Sequence, residues 1–176
     1  KVLRKNNKGL HSIQSTVMLL DLHDEMSIKK IKKNKDEVVF VGRFKKNIKS
    51  KANTIISTLS LLRSYNFIDF NKNYKIIVNK RIPVFAGLGG GTGNAASVIK
   101  YFLKNQINLK LLNIFENKIG SDLKIFFFKH SFQKNLKQIK TFKKKYKFYF
   151  LLLYPNIKSS TKEVYSKVKK FNSPLK

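Results

Sequence analysis

The chain has no cysteine, only three prolines and only nine acidic side chains among its 176 residues. Without cysteine there is no disulfide framework, no thiolate metal site and no cysteine nucleophile, a pattern compatible with a reducing cytoplasm. No apolar run approaches the ~20 residues of a membrane-spanning helix, and the longest, Phe148 to Tyr154, has the length of a strand. A signal-peptide pattern, an internal repeat and a Gly/Ser linker are also lacking. Because the chain opens on Lys1 and stops at Lys176 soon after a helix-like stretch, it reads as a fragment open at both ends.

The shortage of acids leaves a formal charge of +29. Such a charge attracts polyanions. Yet the only arginines are Arg4, Arg43, Arg63 and Arg81, and the other 34 of the 38 basic residues are lysine. Nucleic-acid readers rely on arginine for bidentate and stacking contacts, whereas an excess of Lys, Asn, Ile and Phe follows from AT-rich codons. The charge weighs less toward nucleic acid for that reason, and it can also steer a polyanionic nucleotide.

What is present in strength is one glycine cluster, in the run Pro83-Val84-Phe85-Ala86-Gly87-Leu88-Gly89-Gly90-Gly91-Thr92-Gly93-Asn94-Ala95-Ala96. Glycine has no side chain and reaches backbone angles closed to other residues, so successive amides can converge on an anion. Ala95, Ala96, Val98, Ile99, Phe102 and Leu103 then recur at helical spacing, so the loop sits at a helix N-terminus, where unpaired amides and the dipole favour phosphate. It lacks the Gly-Lys-Ser/Thr ending of a Walker loop and the acid of a dinucleotide fold.

Around this loop the pattern mixes strands and helices, with strands gathered early. Ser12 to Leu22, Met26 to Lys30, Val38 to Val41, Tyr74 to Val78, Ile125 to Phe128 and Phe148 to Tyr154 read as strands. Helices are expected from Asn53 to about Tyr65-Asn66, after the loop, over Leu109 to Ile119 (broken by Gly120-Ser121-Asp122), and from Ser160 to Phe171 with Ser160 and Glu163 as a capping pair. Lys129 to Lys147 shows no firm pattern. The class is α+β.

The glycine run resembles the loop of the GHMP kinase superfamily, Pro-x3-Gly-Leu-Gly followed by small residues and Ala-Ala. Three further segments, in the family's order, are similar to those of its branch acting on a cytidyl diphosphate alcohol in the non-mevalonate isoprenoid pathway. They are Gly9 to Ser15, followed by a strand ending in Asp21 and Asp24; Ile119 to Phe127; and Tyr154 to Tyr165. The resemblance implies an ATP-binding N-terminal domain over residues 1–150, of a fold also seen in a ribosomal-protein domain, and the start of the C-terminal domain over 151–176. ATP and Mg²⁺ are the implied cofactors.

It implies Asp122 as the general base that takes the proton of the substrate hydroxyl. Pro83, Gly87, Leu88, Gly89, Gly90, Gly91, Thr92 and Gly93 form the implied phosphate loop, with Asn53 at adenine and Lys80 facing the nucleotide. His11 and Tyr165 are implied to hold the cytosine from its two sides. Leu10 stands where the family has Tyr, and Gly93 where it has a second loop Ser. The family's first strand would precede Lys1, its later Gly-x-Gly-Glu has no counterpart in residues 129–139, and its C-terminal glycine motif would lie beyond Lys176. Asp122 also suits a turn cap, Asn53 a helix cap and Tyr165 the apolar face of a helix. The alternatives are another GHMP kinase, of mevalonate or homoserine type, a basic RNA-binding protein of similar fold, or a truncated homologue without activity.

Overall fold

The computed structural model describes residues 1–5, 11–46, 48–135, 138–142, 147–155 and 161–174. In chain order the strands and α-helices are β1 (Val2–Lys5), β2 (His11–Ile13), β3 (Ser15–Met18), β4 (Glu25–Ile31), β5 (Glu37–Val41), α1 (Thr54–Ser64), β6 (Asn73–Asn79), α2 (Gly90–Leu103), α3 (Leu109–Ile119), β7 (His130–Gln133), β8 (Ile139–Thr141) and α4 (Thr161–Ser166). The fold is α+β, as the sequence pattern predicts. The chain forms two compact units, one of residues 1–19, 85–87 and 128–176, the other of residues 20–84 and 88–127.

The second unit is built on a three-stranded sheet in the order β4-β6-β5. β4 runs antiparallel to β6, with Ile28 opposite Ile76, and β5 runs parallel to β6, with Val38 opposite Ile76. Parallel neighbours require a crossover, and α1 lies within it. Its Ile55, Thr58, Leu59 and Leu62 fall at helical spacing and are buried. With Ala95, Val98, Ile99 and Leu103 of α2 they cover the sheet around Ile76 and Val78. The crossover is pinned by Arg63, whose guanidinium meets both carboxylate oxygens of Asp36 at 2.6 and 2.9 Å while donating to the Lys72 carbonyl. Asn108 caps α3 through the Leu111 amide, and Gly120, at φ +151°, ends it.

The first unit holds the antiparallel pair β1-β2 and a sheet in the order β3-β7-β8. Several of its elements depart from the sequence reading. The expected strand over Ser12–Leu22 is split into β2 and β3 and ends at Met18, so Asp21 and Asp24 lie beyond it. β1 was not anticipated, and β7 and β8 fall in the stretch that showed no pattern. Phe148 to Tyr154 forms no strand: Tyr149 is 99% exposed and Leu151 88%. A continuous apolar run becomes a strand only with a ladder partner and a face to bury, and the sheets of the described residues do not include it. The expected helix over Ser160–Phe171 is observed only as α4. In the second unit, Ile125–Phe128 is no strand either, because Leu123–Phe127 winds into a 3-10 turn that buries Leu123 completely. Gly9-Leu10 and Asn156 to Ser160, parts of two of the segments carrying the resemblance, lie outside the described residues.

Candidate functional site

The glycine loop leaves β6 at Lys80 and reaches α2 at Gly90. Pro83 is buried. Gly87 and Gly89 have φ of +72° and +67°, angles that any side chain strains to adopt. At Gly89 a side chain is also excluded by space, since a Cβ would fall 2.8 Å from the Phe126 ring. The first α2 hydrogen bond runs from the Gly93 amide to the Gly89 carbonyl at 2.8 Å, so the amides of Gly90, Gly91 and Thr92 precede the helical ladder and are available to an anion. Gly91 is exposed and Leu88 and Thr92 are half-buried.

Beneath the loop lies a buried carboxylate. The Asp24 side chain is 0% exposed and that of Lys80 5%. Lys80 Nζ donates to Asp24 Oδ2, which also accepts from Asn94 Nδ2 at 3.0 Å, while Oδ1 accepts from the amides of Arg81 and Ile82 at 2.8 and 2.9 Å. Burial pushes this carboxyl upward, but the Lys80 ammonium and the Ile82 and Arg81 amides more than reverse it, leaving its pKa below the ordinary 3.8. Lys80 is therefore a buried partner of Asp24, with its ammonium 3.3 Å from where a Cβ on Gly90 would stand.

Asn53 is the N-cap of α1. Its Oδ1 accepts from the amides of Ile55 and Ile56, and its Nδ2 donates to the carbonyls of Lys49 and Ser50, so both ends of the amide serve the cap. The next residue reaches the loop, Thr54 Oγ1 donating to the Gly91 carbonyl at 2.9 Å. The starts of α1 and α2 thus meet.

Asp122 is exposed on the turn between α3 and the 3-10 segment. Ser121 Oγ donates to its Oδ1 at 3.2 Å and the Ile125 amide to its carbonyl at 3.1 Å. Phe126, four residues on, packs against Gly89 and would stand 3.0 Å from a Cβ on Gly93. The glycine in place of the family's second Ser is thus matched to this ring. Lys100 donates to the Phe126 carbonyl at 2.7 Å and stands over the Phe127 ring, and desolvation lowers its pKa. Under the turn, Lys124 is buried with its ammonium 2.8 Å from Glu116 and 3.0 Å from Asn113 Oδ1. Desolvation lifts the Glu116 carboxyl above its ordinary value despite Lys124.

In the first unit, the His11 ring stacks on Tyr165 at 5.2 Å and 20° and on Phe171 at 5.5 Å and 26°. Buried His11 Nδ1 has no hydrogen-bond partner among the described residues. The two residues expected on either side of a cytosine stack on each other here, with Phe171 as an unanticipated third ring. Sequence reasoning also missed the roles of Asp24, Asn94, Thr54 and Phe126. For Asp24 a signal existed, since a carboxylate beside a strand stands out in a chain with nine acids.

The glycine loop thus stands at a helix N-terminus on an α+β scaffold, braced by a second helix start, an arrangement suited to an anion. Residues 53–126 match the family described as GHMP kinases N terminal domain. The chain is 42% identical over 170 residues to 4-diphosphocytidyl-2-C-methyl-D-erythritol kinase of Pelagibacter ubique, across 94% of this chain and 59% of that protein. To the enzyme of the same name from a Sulfurihydrogenibium species it is 35% identical, across 96% of this chain and 61% of that protein. The crystal structure of a 4-(cytidine 5'-diphospho)-2C-methyl-D-erythritol kinase superposes over 99% of this chain and 62% of its own with a TM-score of 0.66 at 20% identity, a likeness of fold. The chain spans about three fifths of the length of the curated relatives it matches.

Proposed function

We propose that the protein carrying this chain is an ATP-dependent kinase that phosphorylates the 2-hydroxyl of 4-diphosphocytidyl-2-C-methyl-D-erythritol. The observation that carries the reading is the convergence of the α1 and α2 N-termini at Thr54 and Gly91, which surrounds the loop amides with two positive helix ends. The similarity to relatives of that name supplies the substrate.

In this reading the amides of Gly90 to Thr92 hold the ATP phosphates, and Gly87 and Leu88 shape the approach. The substrate hydroxyl oxygen attacks the γ-phosphorus, its proton passes to the Asp122 carboxylate, and the β–γ bridging oxygen leaves with the electron pair as ADP. Phosphoryl transfer needs mainly positioning and charge stabilisation, so an exposed carboxylate on a braced turn suffices. His11 and Tyr165 offer flat rings to the cytosine. Among the described residues there is no cluster of three or more His, Cys, Asp or Glu side chains that could hold a metal. Mg²⁺ would arrive on the nucleotide, where the Thr92 hydroxyl would be available to it and the ion would neutralise phosphate charge. Residues 151–176 open the second domain, and the reaction is placed in the cytoplasm.

The test is acceptor choice. The full-length protein, given ATP, is expected to phosphorylate the cytidyl methylerythritol alcohol and neither mevalonate nor homoserine. Turnover of either of the latter in its place would overturn the substrate assignment.

A further inference from the structure

The mechanism above leaves unused the most deeply buried charged group of the second unit, the Asp24 carboxylate. It stands just ahead of β4, yet its hydrogen bonds run elsewhere: to Lys80, Arg81 and Ile82 where β6 gives way to the loop, and to Asn94 in the second turn of α2. These are the two ends of the glycine loop. The Lys80 backbone is clamped as well, its amide donating to the Val41 carbonyl at 2.8 Å and its carbonyl accepting from Phe44 at 3.3 Å. Gly42 leaves no room for a Cβ there, which would fall 2.3 Å from Asn79 Oδ1.

The energetics favour a geometric role. A buried ion pair gains little net stability over apolar groups of the same volume, because desolvation offsets the attraction, but it holds its partners in one arrangement. Here it holds a positive charge under the first residue of α2, in contact range of the Gly90 Cα side. We infer that Asp24 is a positioning residue for the nucleotide: by tying Lys80, the Arg81 and Ile82 amides and Asn94 to one carboxylate, it fixes both ends of the phosphate loop and keeps the Lys80 ammonium beneath it. The inference rests on the kinase reading and adds a residue which that reading leaves without a role.

The experiment is steady-state kinetics and calorimetric ADP binding on the full-length protein and its Asp24→Asn, Lys80→Met and Asn94→Ala variants, with far-UV circular dichroism to confirm folding. Asp24→Asn is expected to raise KM for ATP and Kd for ADP by about 10- to 100-fold, the scale of a misplaced binding group. KM for the acceptor stays at the parent value, and kcat recovers at saturating ATP. Asp24→Asn/Lys80→Met should bind no worse than the weaker single variant, because the two residues act as one unit. A merely structural role would lower the unfolding midpoint and leave the ATP KM of the folded fraction unmoved, which overturns the inference. Should Asp24→Asn fail to fold, Asn94→Ala decides, since it removes a single contact: a raised ATP KM supports the inference and an unchanged one overturns it. A parent that binds no ADP overturns the kinase reading and this inference together, whereas parent binding with unaltered variants overturns the inference alone.

Discussion

Thr54 Oγ1 donates a hydrogen bond to the carbonyl of Gly91 at 2.9 Å, joining the first residue of α1 to the second of α2. The contact places two helix N-termini side by side, and Asn53 immediately before it holds α1 in register. Thr54→Val, which keeps the shape and removes the donor, is expected to cost about 1 kcal/mol in chemical denaturation and to raise KM for ATP. Asn53→Ala should also cost about 1 kcal/mol, whereas Asn53→Asp, an equally good cap, should cost little. If Asn53→Asp also retained full ATP affinity, adenine would not be read by the Asn53 amide.

Phe126 sets the tolerance of the loop to side chains. Gly89→Ala combines a left-handed φ with a Cβ 2.8 Å from the ring, and Gly93→Ser restores the family's hydroxyl at a Cβ 3.0 Å from it. Gly89→Ala is expected to be the more damaging, by about 1 kcal/mol or more for the backbone alone. Gly93→Ser gains helix propensity of about 0.5 kcal/mol but overpacks a ring already held by Gly89, at about 1–3 kcal/mol. Gly93→Ser/Phe126→Leu should be more stable than Gly93→Ser, as thermal unfolding would show.

The strand pattern of Ile125–Phe128 misled for the same reason. Four apolar residues in a row are ambiguous between a strand and a buried turn, and what decides here is a distant cavity, the one above Gly89 and Gly93 that the Phe126 ring fills. Phe148–Tyr154 illustrates the opposite failure: its local signal is strong, but a strand is defined by a partner. The helices were legible because α1, α2 and α3 bury one stripe each and carry local stop signals, such as Gly120. The site was legible where it is backbone, in Gly87 to Gly93, and less so where it is side chain. The sequence could not show that Lys80 turns inward to Asp24, whereas the cap role of Asn53 was open in it.

The Lys124–Glu116 pair braces the Asp122 turn from below. Lys124→Met should destabilise by about 3 kcal/mol by leaving Glu116 buried and unpaired, while Lys124→Met/Glu116→Leu should recover most of that loss. Since the Glu116 carboxyl is raised above 4.5 in the fold, its contribution to stability is fully present below pH 4.5 and is lost as pH rises through the higher folded value. Glu116→Gln should therefore flatten the gain in stability that the parent shows on acidification through that window.

The ring cluster of the first unit makes a separate prediction. Tyr165→Ala removes a ring stacked on His11 and is expected to raise KM for the cytidyl acceptor about tenfold, in line with the loss of one base-stacking contact, with KM for ATP unchanged. An equal rise in both would assign Tyr165 to folding of the unit.

The central claim is that the glycine loop and Asp122 together transfer the ATP γ-phosphate. It is tested most directly by following labelled γ-phosphate from ATP to 4-diphosphocytidyl-2-C-methyl-D-erythritol with the full-length protein and its Asp122→Asn variant. The account predicts transfer by the parent, and in the variant a kcat lower by about 10²- to 10⁴-fold with ADP affinity retained. Equal turnover by the two proteins would contradict it.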